Sequence, residues 1–425
     1  MPKVGVWLIG ARGSVATTAV AGCAAVTAGL RPPVGLVTER PEFADAGLPP
    51  LASLVFGGHD VADTPLVKRA EELVAEGVLP GGLGAAVEGE LAEAEREIRV
   101  GVVPGRGTPP GGAGVLEEDE QRIGALAADI QDFVRRRGLD RAVVVNVAST
   151  EAAPEPDARV LPPSSLYAAA ALRAGCPYVN FTPSTGLHHP ALAEAVEASG
   201  LPYAGRDGKT GQTLLRSVLG PMFDRRALHV RSWSGVNLLG GGDGAALADP
   251  GAAAAKNAGK ERVLADTLGS IPEGRVHIDD VPALGDWKTA WDHIAFDGFL
   301  GTRMTLQTTW QGCDSALAAP LVLDLARLAL RAHERGVSGA LSALAFFFKD
   351  PVGEAPAGLE EQWGELVGFG RELGSGGGGG SAGAGGPGGG SGAAGPESGG
   401  GAGGRGLGGG VAGSDAGARG GSEGA

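Results

Sequence analysis

The first half of the chain alternates short apolar runs with stretches of helical periodicity. Strands are predicted at residues 3–9, 34–38, 141–147 and 178–181, and helices at residues 117–137 and 164–174. The strand runs are apolar and rich in β-branched residues, which is typical of parallel strands covered on both faces. Strands that alternate with helices predict an α/β fold with a doubly wound parallel sheet.

The turn after the first predicted strand indicates a nucleotide site. Residues 10–15 contain two glycines and precede an alanine-rich helix. Strand, turn and helix in this order open a Rossmann-like dinucleotide-binding unit, and the helix N-terminus can receive a pyrophosphate. The match to G-x-G-x-x-G is incomplete, because Arg12 and Val15 occupy two glycine positions.

Polar residues follow three of the predicted strands. Glu39 lies at the carboxyl end of the second predicted strand, where an acidic side chain can accept hydrogen bonds from an adenosine ribose. Small polar residues follow the strands at 141–147 and 178–181. The carboxyl ends of parallel strands form the crevice in which such sheets bind ligands, so these residues are predicted to line it.

The pattern changes after residue 204. Strand-like stretches at 228–233, 273–281 and 301–310 predict an α+β unit with a largely antiparallel sheet, and no internal repeat is visible. A long amphipathic helix at 316–335 could return the chain to the first unit.

Four segments are therefore predicted. They are an NAD-binding Rossmann-like domain at 1–204, an inserted α+β domain at 205–315, a return to the first domain at 316–372, and a tail at 373–425. The tail is almost wholly Gly, Ser and Ala, so it lacks the apolar side chains that would offset its ordering entropy. We expect it to be flexible.

Composition narrows the possible partners. The net charge of −14 and the pI near 5.0 argue against nucleic acid and anionic membranes, although local lysines could still bind a phosphorylated metabolite. The three cysteines are too widely spaced for a disulfide framework or a metal cluster, which favours a reducing cytoplasm. No apolar run approaches the roughly 20 residues of a membrane span. No metal site is predicted.

Lysine is scarce, and its placement is informative. The chain has seven lysines, two of which are Lys3 and Lys68, and the other five fall inside polar motifs of the second half. Lysine is a compact point charge whose pKa moves on burial, so it can hold an oxyanion or exchange a proton. The motif lysines are Lys209, Lys256, Lys260, Lys288 and Lys349.

The lysine motifs also admit ordinary structural explanations. Lys209 could simply pair with Asp207 in a glycine-rich turn, although the helix start that follows could equally receive an anion. Lys256 and Lys260 could form a solvated helix face, although like charges four residues apart repel each other, which favours a shared anionic ligand. Asp314 and its neighbour could be only a helix cap. The histidines at 188 and 189 have no partners at ligand spacing.

Six blocks of the second half, taken in order, resemble one known family. They read GRDGKTGQT, NLLGGGDG, AAAAKNAGKERV, GDWKTAWDH, GCDSALAAPLVLDL and FFFKDPVG. Together they resemble the inositol-1-phosphate synthase family, also called inositol-3-phosphate synthase, in a compact prokaryotic form. The resemblance covers most of residues 1–365 and implies NAD as cofactor, a sugar phosphate as substrate and a homotetramer in the cytoplasm. It also implies that the α+β domain at 205–315 serves catalysis and oligomerisation.

The resemblance also implies site residues. Active-site roles are implied for Asp207, Lys209, Asn237, Asp243, Lys256, Lys260, Lys288, Asp314 and Lys349. The predicted cofactor site comprises Gly10, Arg12, Gly13, Ser14, Val15, Glu39, Ala148, Ser149, Thr150, Thr182, Asp243, Asp314 and Ser315. The chain departs from the family pattern at Arg12, Ser14 and Val15 in the first turn, and at Gly241 and Gly242 in the second loop.

The implied reaction explains the lysines. Glucose 6-phosphate would be oxidised at C5 by NAD, enolised at C6, closed by aldol attack on C1 and reduced again, for inositol and phospholipid biosynthesis. Each step makes or discharges an oxyanion near a phosphate, so several ammonium groups are needed. Lys256 or Lys349 would exchange the proton of the C5 hydroxyl, and Lys209, Lys260 and Lys288 would bind phosphate and oxyanions. Asp243 and Asp314 would hold lysines or the nicotinamide end in place.

Two other functions remain open from the sequence. A nicotinamide-dependent sugar or polyol dehydrogenase would share the two-domain plan, but it would leave the five motif lysines without a role. An inactive NAD-binding regulatory protein would show decay of the lysine set, and none is visible.

Overall fold

The protein folds around two β-sheets. The computed structural model describes residues 2–102, 114–151, 161–240 and 263–375. The strands are β1 (Val4–Ile9), β2 (Leu54–Asp60), β3 (Ile98–Val100), β4 (Arg141–Asn146), β5 (Tyr178–Asn180), β6 (Pro202–Gly205), β7 (His229–Leu239), β8 (Val276–Asp280), β9 (Trp287–Asp297), β10 (Arg303–Cys313) and β11 (Gly339–Ala340).

Helices cover both faces of the first sheet and one face of the second. Those with defined bounds are α1 (Ser14–Thr27), α2 (Leu66–Ala75), α3 (Leu83–Ala86), α4 (Glu88–Glu95), α5 (Gly114–Arg137), α6 (Pro163–Arg173), α7 (Ala193–Ser199), α8 (Gly211–Arg225), α9 (Asp314–Glu334) and α10 (Leu359–Gly374). No helix in the described ranges is long and apolar enough to cross a membrane.

The first sheet is parallel and has the order β11-β6-β5-β4-β1-β2-β3. Side chains of β1 alternate between two cores, with Val6 and Leu8 packed towards α1 and α9 on one face. Trp7 and Ile9 pack towards α5 and α6 on the other face. The order of the six strands β3 to β6 is that of a dinucleotide-binding sheet, so the predicted doubly wound fold is confirmed.

The strand predicted at 34–38 is wrong. These residues follow two prolines, and residues Val37–Glu39 form a 3-10 turn instead. The backbone N–H groups of Val37 and Thr38 donate to the buried carboxylate of Asp324 on α9, which replaces any strand pairing. The apolar pattern alone could not reveal this tertiary contact.

The second strand of the sheet is β2, which the sequence pattern missed. Glycines in a strand normally weaken a strand prediction, and β2 contains Gly57 and Gly58. A Cβ atom on Gly58 would lie only 2.1 Å from the carbonyl oxygen of Leu8, so β2 can approach β1 only with glycine at this position. Asp60 therefore ends the second strand, where Glu39 was expected.

The second sheet has four strands in the order β10-β9-β7-β8. Strands β7, β9 and β10 pair antiparallel, and β8 joins β7 in parallel, so the predicted, largely antiparallel sheet is confirmed. One face packs on α8 through Phe223, Trp233 and Ile294. Strand β9, which lies across the GDWKTAWDH block, was not predicted.

The last helices return to the first sheet. Helix α9 packs against α1 and the strands β4 to β6, and it begins at Asp314 rather than at the predicted residue 316. Helix α10 packs on the turn Ser342–Phe347 and includes the first two residues of the predicted tail, because Leu373 is buried.

Candidate active site

A cleft of about 680 Å³ lies at the carboxyl ends of β1, β2, β4 and β5. The starts of β9 and α9 and the segment around Lys349 line its other side. Of the sequence-predicted site residues, the structure places these along the cleft: Gly10, Arg12, Gly13, Ser14, Val15, Ala148, Ser149, Thr150, Thr182, Asp207, Lys288, Asp314, Ser315 and Lys349.

The turn between β1 and α1 requires glycine for a specific reason. Gly10 has a φ of 82°, and a Cβ atom there would lie 2.7 Å from the Cα atom of Ala148. Gly13 precedes α1 without a side-chain cap, and the first turn of α1 has no acidic residue. The backbone N–H groups of that turn can therefore receive an anion.

Arg12 occupies the second glycine position of the turn, and its side chain is hydrogen-bonded to neighbouring segments. Its guanidinium donates to Glu95 Oε1 at 2.6 Å and to the carbonyl oxygen of Ala62 at 2.6 Å. Its backbone N–H donates to Asp60 Oδ2 at 2.6 Å. The arginine therefore braces the turn, and the carboxylate at the end of β2 lies beside it.

Glu39 does not line the cleft. Its carboxylate pairs with Arg327 of α9, with 2.6 Å between Oε1 and Nη1. The prediction that placed Glu39 at the end of the second strand is corrected by Asp60, which lies at that end and lines the cleft. The apolar residues 54–56 were the sequence signal for β2, and this strand leads directly to Asp60.

Asp286 is a cleft residue that the sequence analysis did not select. Its Oδ1 accepts a hydrogen bond from Ser315 Oγ at 2.9 Å, and it also contacts the Ser14 hydroxyl, which accepts from Arg69 Nη2 at 2.6 Å. Burial raises the pKa of Asp286, and the hydrogen bonds from the two serines oppose the rise. This carboxyl group links the first residue of α1 to the start of α9.

Asp207 and Lys349 form a buried ion pair in the cleft. Lys349 Nζ lies 2.8 Å from Asp207 Oδ1, and both side chains are less than a tenth exposed. Backbone hydrogen bonds fix the pair: the N–H of Lys349 donates to the carbonyl oxygen of Asp207, and the N–H of Asp207 donates to that of Thr182. The ammonium group is thus oriented by a rigid frame.

Lys288 and Asp314 form a second pair nearby. Lys288 Nζ lies 3.6 Å from Asp314 Oδ2, and Asp314 Oδ1 accepts from Thr210 Oγ1 at 2.8 Å. Both residues also line a small recess with Gly211 and Gln212, the first residues of α8. A lysine is thus placed beside a helix N-terminus.

Two predicted residues lie apart from the cleft lining. Lys209 is 4% exposed, and its Nζ donates to Gln362 Oε1 of α10 at 2.5 Å. Burial lowers the pKa of Lys209 to about 8. Asn237 is fully buried, and its Nδ2 donates to Gln212 Oε1 at 2.9 Å. The predicted alternative pairing of Lys209 with Asp207 is wrong, because Lys349 takes that position.

Three predicted residues, Asp243, Lys256 and Lys260, lie outside the described ranges. Within those ranges, no three His, Cys, Asp or Glu side chains are close enough to share a metal ion.

Comparison with known proteins identifies the family. The family described as myo-inositol-1-phosphate synthase matches residues 4–371 of this chain. The chain belongs to the myo-inositol-1-phosphate synthase family. Inositol-3-phosphate synthase 1 of Bacteroides thetaiotaomicron is 31% identical, over 82% of this chain and 90% of that protein.

A third protein, matched in part, and two solved structures are also similar to this chain. Inositol-3-phosphate synthase of Trypanosoma brucei brucei is 32% identical, but the match spans only 50% of this chain and 45% of that protein. The crystal structure of inositol-3-phosphate synthase from Caenorhabditis elegans shares the fold, with a TM-score of 0.77 and 22% identity over 88% of this chain and 86% of that one. A synthase-related protein from Thermotoga maritima MSB8 superposes with a TM-score of 0.67 at 24% identity, over 87% of this chain and 98% of that one.

Proposed function

We propose that the protein is an NAD-dependent inositol-3-phosphate synthase, an isomerase that converts D-glucose 6-phosphate to 1D-myo-inositol 3-phosphate. One observation carries the proposal: the glycine turn at Gly10 and two ion-paired lysines, Lys288 and Lys349, line the same cleft. A simple dehydrogenase would not need several ammonium groups beside its dinucleotide site. Membership of the synthase family supports the same chemistry.

The residues of the first turn fit NAD. Gly10 leaves room where a Cβ atom would meet the backbone of Ala148, and the start of α1 offers N–H groups to the pyrophosphate. Asp60 at the end of β2 would accept hydrogen bonds from the adenosine ribose. When bound, NAD supplies a hydride acceptor and donor, so the conversion is redox-neutral.

The substrate phosphate would lie at the start of α8. This helix has no acidic residue in its first turn, so its N–H groups and positive dipole end favour an anion. Lys288 adds a full positive charge, since it lines the same recess as Gly211 and Gln212. Asp314 would keep the lysine directed towards that recess through its 3.6 Å contact.

Lys349 would act on the sugar rather than on the phosphate. Asp207 would position the Lys349 amino group in the cleft through its 2.8 Å contact. The neutral amine would take the proton of the C5 hydroxyl during oxidation, and the resulting ammonium would then hold the enolate oxygen at C5. Aldol closure between C6 and C1 then moves negative charge to the former aldehyde oxygen, where a further ammonium is needed. We propose Lys256 and Lys260 for that oxygen and for the enolate, from the family resemblance.

The second sheet would also serve assembly. We propose that the α+β segment at 205–315 makes a homotetramer in the cytoplasm, as the family resemblance implies. Exposed apolar side chains on this segment support it: Phe299 and Leu300 at the tip between β9 and β10 are 86% and 87% exposed, and Trp291 on β9 is 36% exposed. Light scattering of the Trp291→Glu variant tests this proposal. A charge placed in an interface between copies should dissociate the tetramer, so the measured mass of the assembly should fall.

The decisive experiment measures redox balance. The purified protein is incubated with glucose 6-phosphate and NAD, phosphorus NMR follows the product, and absorbance follows NADH. We expect an inositol monophosphate to form while NADH stays nearly constant. Steady NADH accumulation without a cyclic product would show a dehydrogenase instead, and the proposal would be abandoned.

A further inference from the structure

A buried carboxylate outside the cleft connects α8 to the second sheet. Asp292 of β9 is 2% exposed and lies 3.1 Å from Nη2 of Arg216, which is 1% exposed. Trp233 Nε1 of β7 also donates to Asp292 Oδ1 at 2.8 Å. A buried ion pair contributes little net stability, because desolvation of both charges offsets their attraction. The contacts of this pair are therefore more informative about its role than its contribution to stability.

Gln212 attaches the start of α8 to this carboxylate. Its Nε2 lies 2.9 Å from both oxygens of Asp292, and its Oε1 accepts from Asn237 Nδ2 at 2.9 Å. A Cβ atom on Gly235 would lie 2.8 Å from Gln212 Nε2 and 2.9 Å from Asp292 Oδ1. Glycine on β7 thus leaves the space that this contact occupies.

The spacing of these residues places them on one face of α8 and on one face of β9. Gln212 and Arg216 are four residues apart on α8, so both reach Asp292 from one helix face. Lys288 and Asp292 are four residues apart on β9, so they project from the same face of that strand. Gln212 is the second residue of α8, and it shares the recess at the helix N-terminus with Lys288.

We propose that Asp292 is a positioning residue for the phosphate subsite. Through Gln212 and Arg216 it fixes the first turn of α8 against the strand that carries Lys288. The two halves of the subsite, backbone N–H groups and an ammonium, then keep a fixed separation. This inference rests on the phosphate location given under Proposed function, and Asp292 itself touches neither substrate nor cofactor.

The test measures phosphate binding directly. Inorganic phosphate is titrated by calorimetry into the NAD-loaded protein, and the KM for glucose 6-phosphate is measured in parallel. Asp292→Asn keeps the shape but removes the charge that holds both α8 side chains. We expect the Kd of phosphate and the KM to rise about tenfold or more, the scale of one lost hydrogen bond to a charged group, with NAD affinity unchanged.

A second variant guards against misfolding, because Asp292→Asn leaves Arg216 buried without its carboxylate. Gln212→Met keeps the Arg216–Asp292 pair and removes the contacts of Gln212 to Asp292 and to Asn237, so it should weaken phosphate binding in the same way. Thr308→Val is the matched control: Thr308 lies opposite Asp292 on β10, and its buried hydroxyl has no hydrogen-bond partner within the described residues. The control should bind phosphate as the wild type does.

The outcomes separate this inference from the proposed function. Wild-type phosphate affinity in folded Asp292→Asn or in Gln212→Met would overturn the positioning role, as would a wild-type protein that does not bind phosphate. A loss of NAD affinity equal to the loss of phosphate affinity would show general structural damage and also overturn it. If both variants lose phosphate binding but the wild type makes no inositol phosphate, only the proposed reaction fails.

Discussion

The three described motif lysines differ in what their ammonium groups contact. Lys349 and Lys288 face carboxylates in the cleft at 2.8 and 3.6 Å. Lys209 instead donates to the neutral amide of Gln362 in a buried position. Burial of Lys209 lowers its pKa and so disfavours its charged form. The described motif lysines therefore lie in two different electrostatic environments.

Removing the charge of a cleft lysine should reduce turnover strongly. Lys288→Met or Lys349→Met keeps most of the apolar stem, and the rate should fall about 100-fold or more, as when one preorganised oxyanion donor is lost. Inositol phosphate formation measures the rate. Lys68→Met is the control, because Lys68 is 62% exposed and pairs with Glu71, which is also exposed. Near-normal turnover in both cleft variants would contradict the proposed mechanism.

Lys209 should give stability a distinct pH dependence. Its pKa is lowered from 10.5 to about 8 in the folded protein. Below pH 8 both states hold the proton and the full cost of burial is present. As pH rises from about 8 to 10.5, the folded state loses the proton first, so this cost disappears.

The variant Lys209→Met isolates that effect. Denaturant unfolding of both proteins is compared at several pH values between 7 and 10.5. The wild type should gain up to about 3 kcal/mol relative to the variant over this interval, since each pKa unit corresponds to about 1.4 kcal/mol. Parallel stability curves would contradict a depressed pKa. A wild type that loses stability relative to the variant as pH rises would show that the pKa of Lys209 is raised in the folded protein.

At the scale of elements, close approach of backbones decides where the cleft forms. Gly58 lets β2 pair beside Leu8 of β1, and Gly10 lets the first turn pass beside Ala148 after β4. Both contacts bring strand ends together at the edge where the dinucleotide would bind. A side chain at either position would separate the segments whose polar groups form the site.

Gly10→Ala should therefore abolish most NAD affinity. The added Cβ atom would lie 2.7 Å from Ala148 Cα, and a φ of 82° is unfavourable for alanine. Calorimetric titration with NAD should show a Kd raised at least about tenfold, a change of roughly 1.4 kcal/mol. Gly22→Ala in α1 is the matched control. A Cβ atom there meets nothing within 4 Å, and alanine should stabilise the helix by about 0.5–1 kcal/mol. Unchanged NAD affinity of Gly10→Ala would show that this turn does not hold the cofactor.

At the scale of the whole molecule, the last helix closes the fold. Helix α10 buries Leu366 and Leu373, and its Gln362 accepts the hydrogen bond of Lys209 beside the cleft segment. Trp363 packs against Phe43 and Phe346, so the helix also fastens the 3-10 turn at 41–43. The end of α10 at Gly374 thus marks the end of the apolar core that the structure describes.

Truncation should separate the helix from the residues that follow it. A chain that ends after Ser375 loses a segment that is almost wholly glycine, serine and alanine and has very few large apolar residues, so its melting temperature and turnover should match the full protein. A chain that ends after Gly358 loses α10 and should melt much lower or fail to fold. Thermal unfolding of both proteins is the measurement. A loss of several degrees on removal of 376–425 would show that these residues contribute to stability.

The sequence by itself determined the fold class, the family and part of the cleft lining. Continuous apolar strands such as β1 and β4 and the amphipathic helix α9 were visible because their patterns come from burial within each element. Motif blocks identified residues such as Asp207, Lys288 and Lys349, because the chemistry of a site restricts residue types locally.

Only the tertiary structure decided which side chains meet. Asp60 rather than Glu39 ends the second strand. Two contacts decide this, the close approach of Gly58 to β1 and the hydrogen bonds of residues 37–38 to Asp324, and both join segments far apart in the sequence. Lys209 turned away from the cleft for the same reason, since its partner Gln362 lies 153 residues further along the chain. Hydrophobic periodicity records which face of an element is buried, but the identity of the neighbour depends on long-range packing.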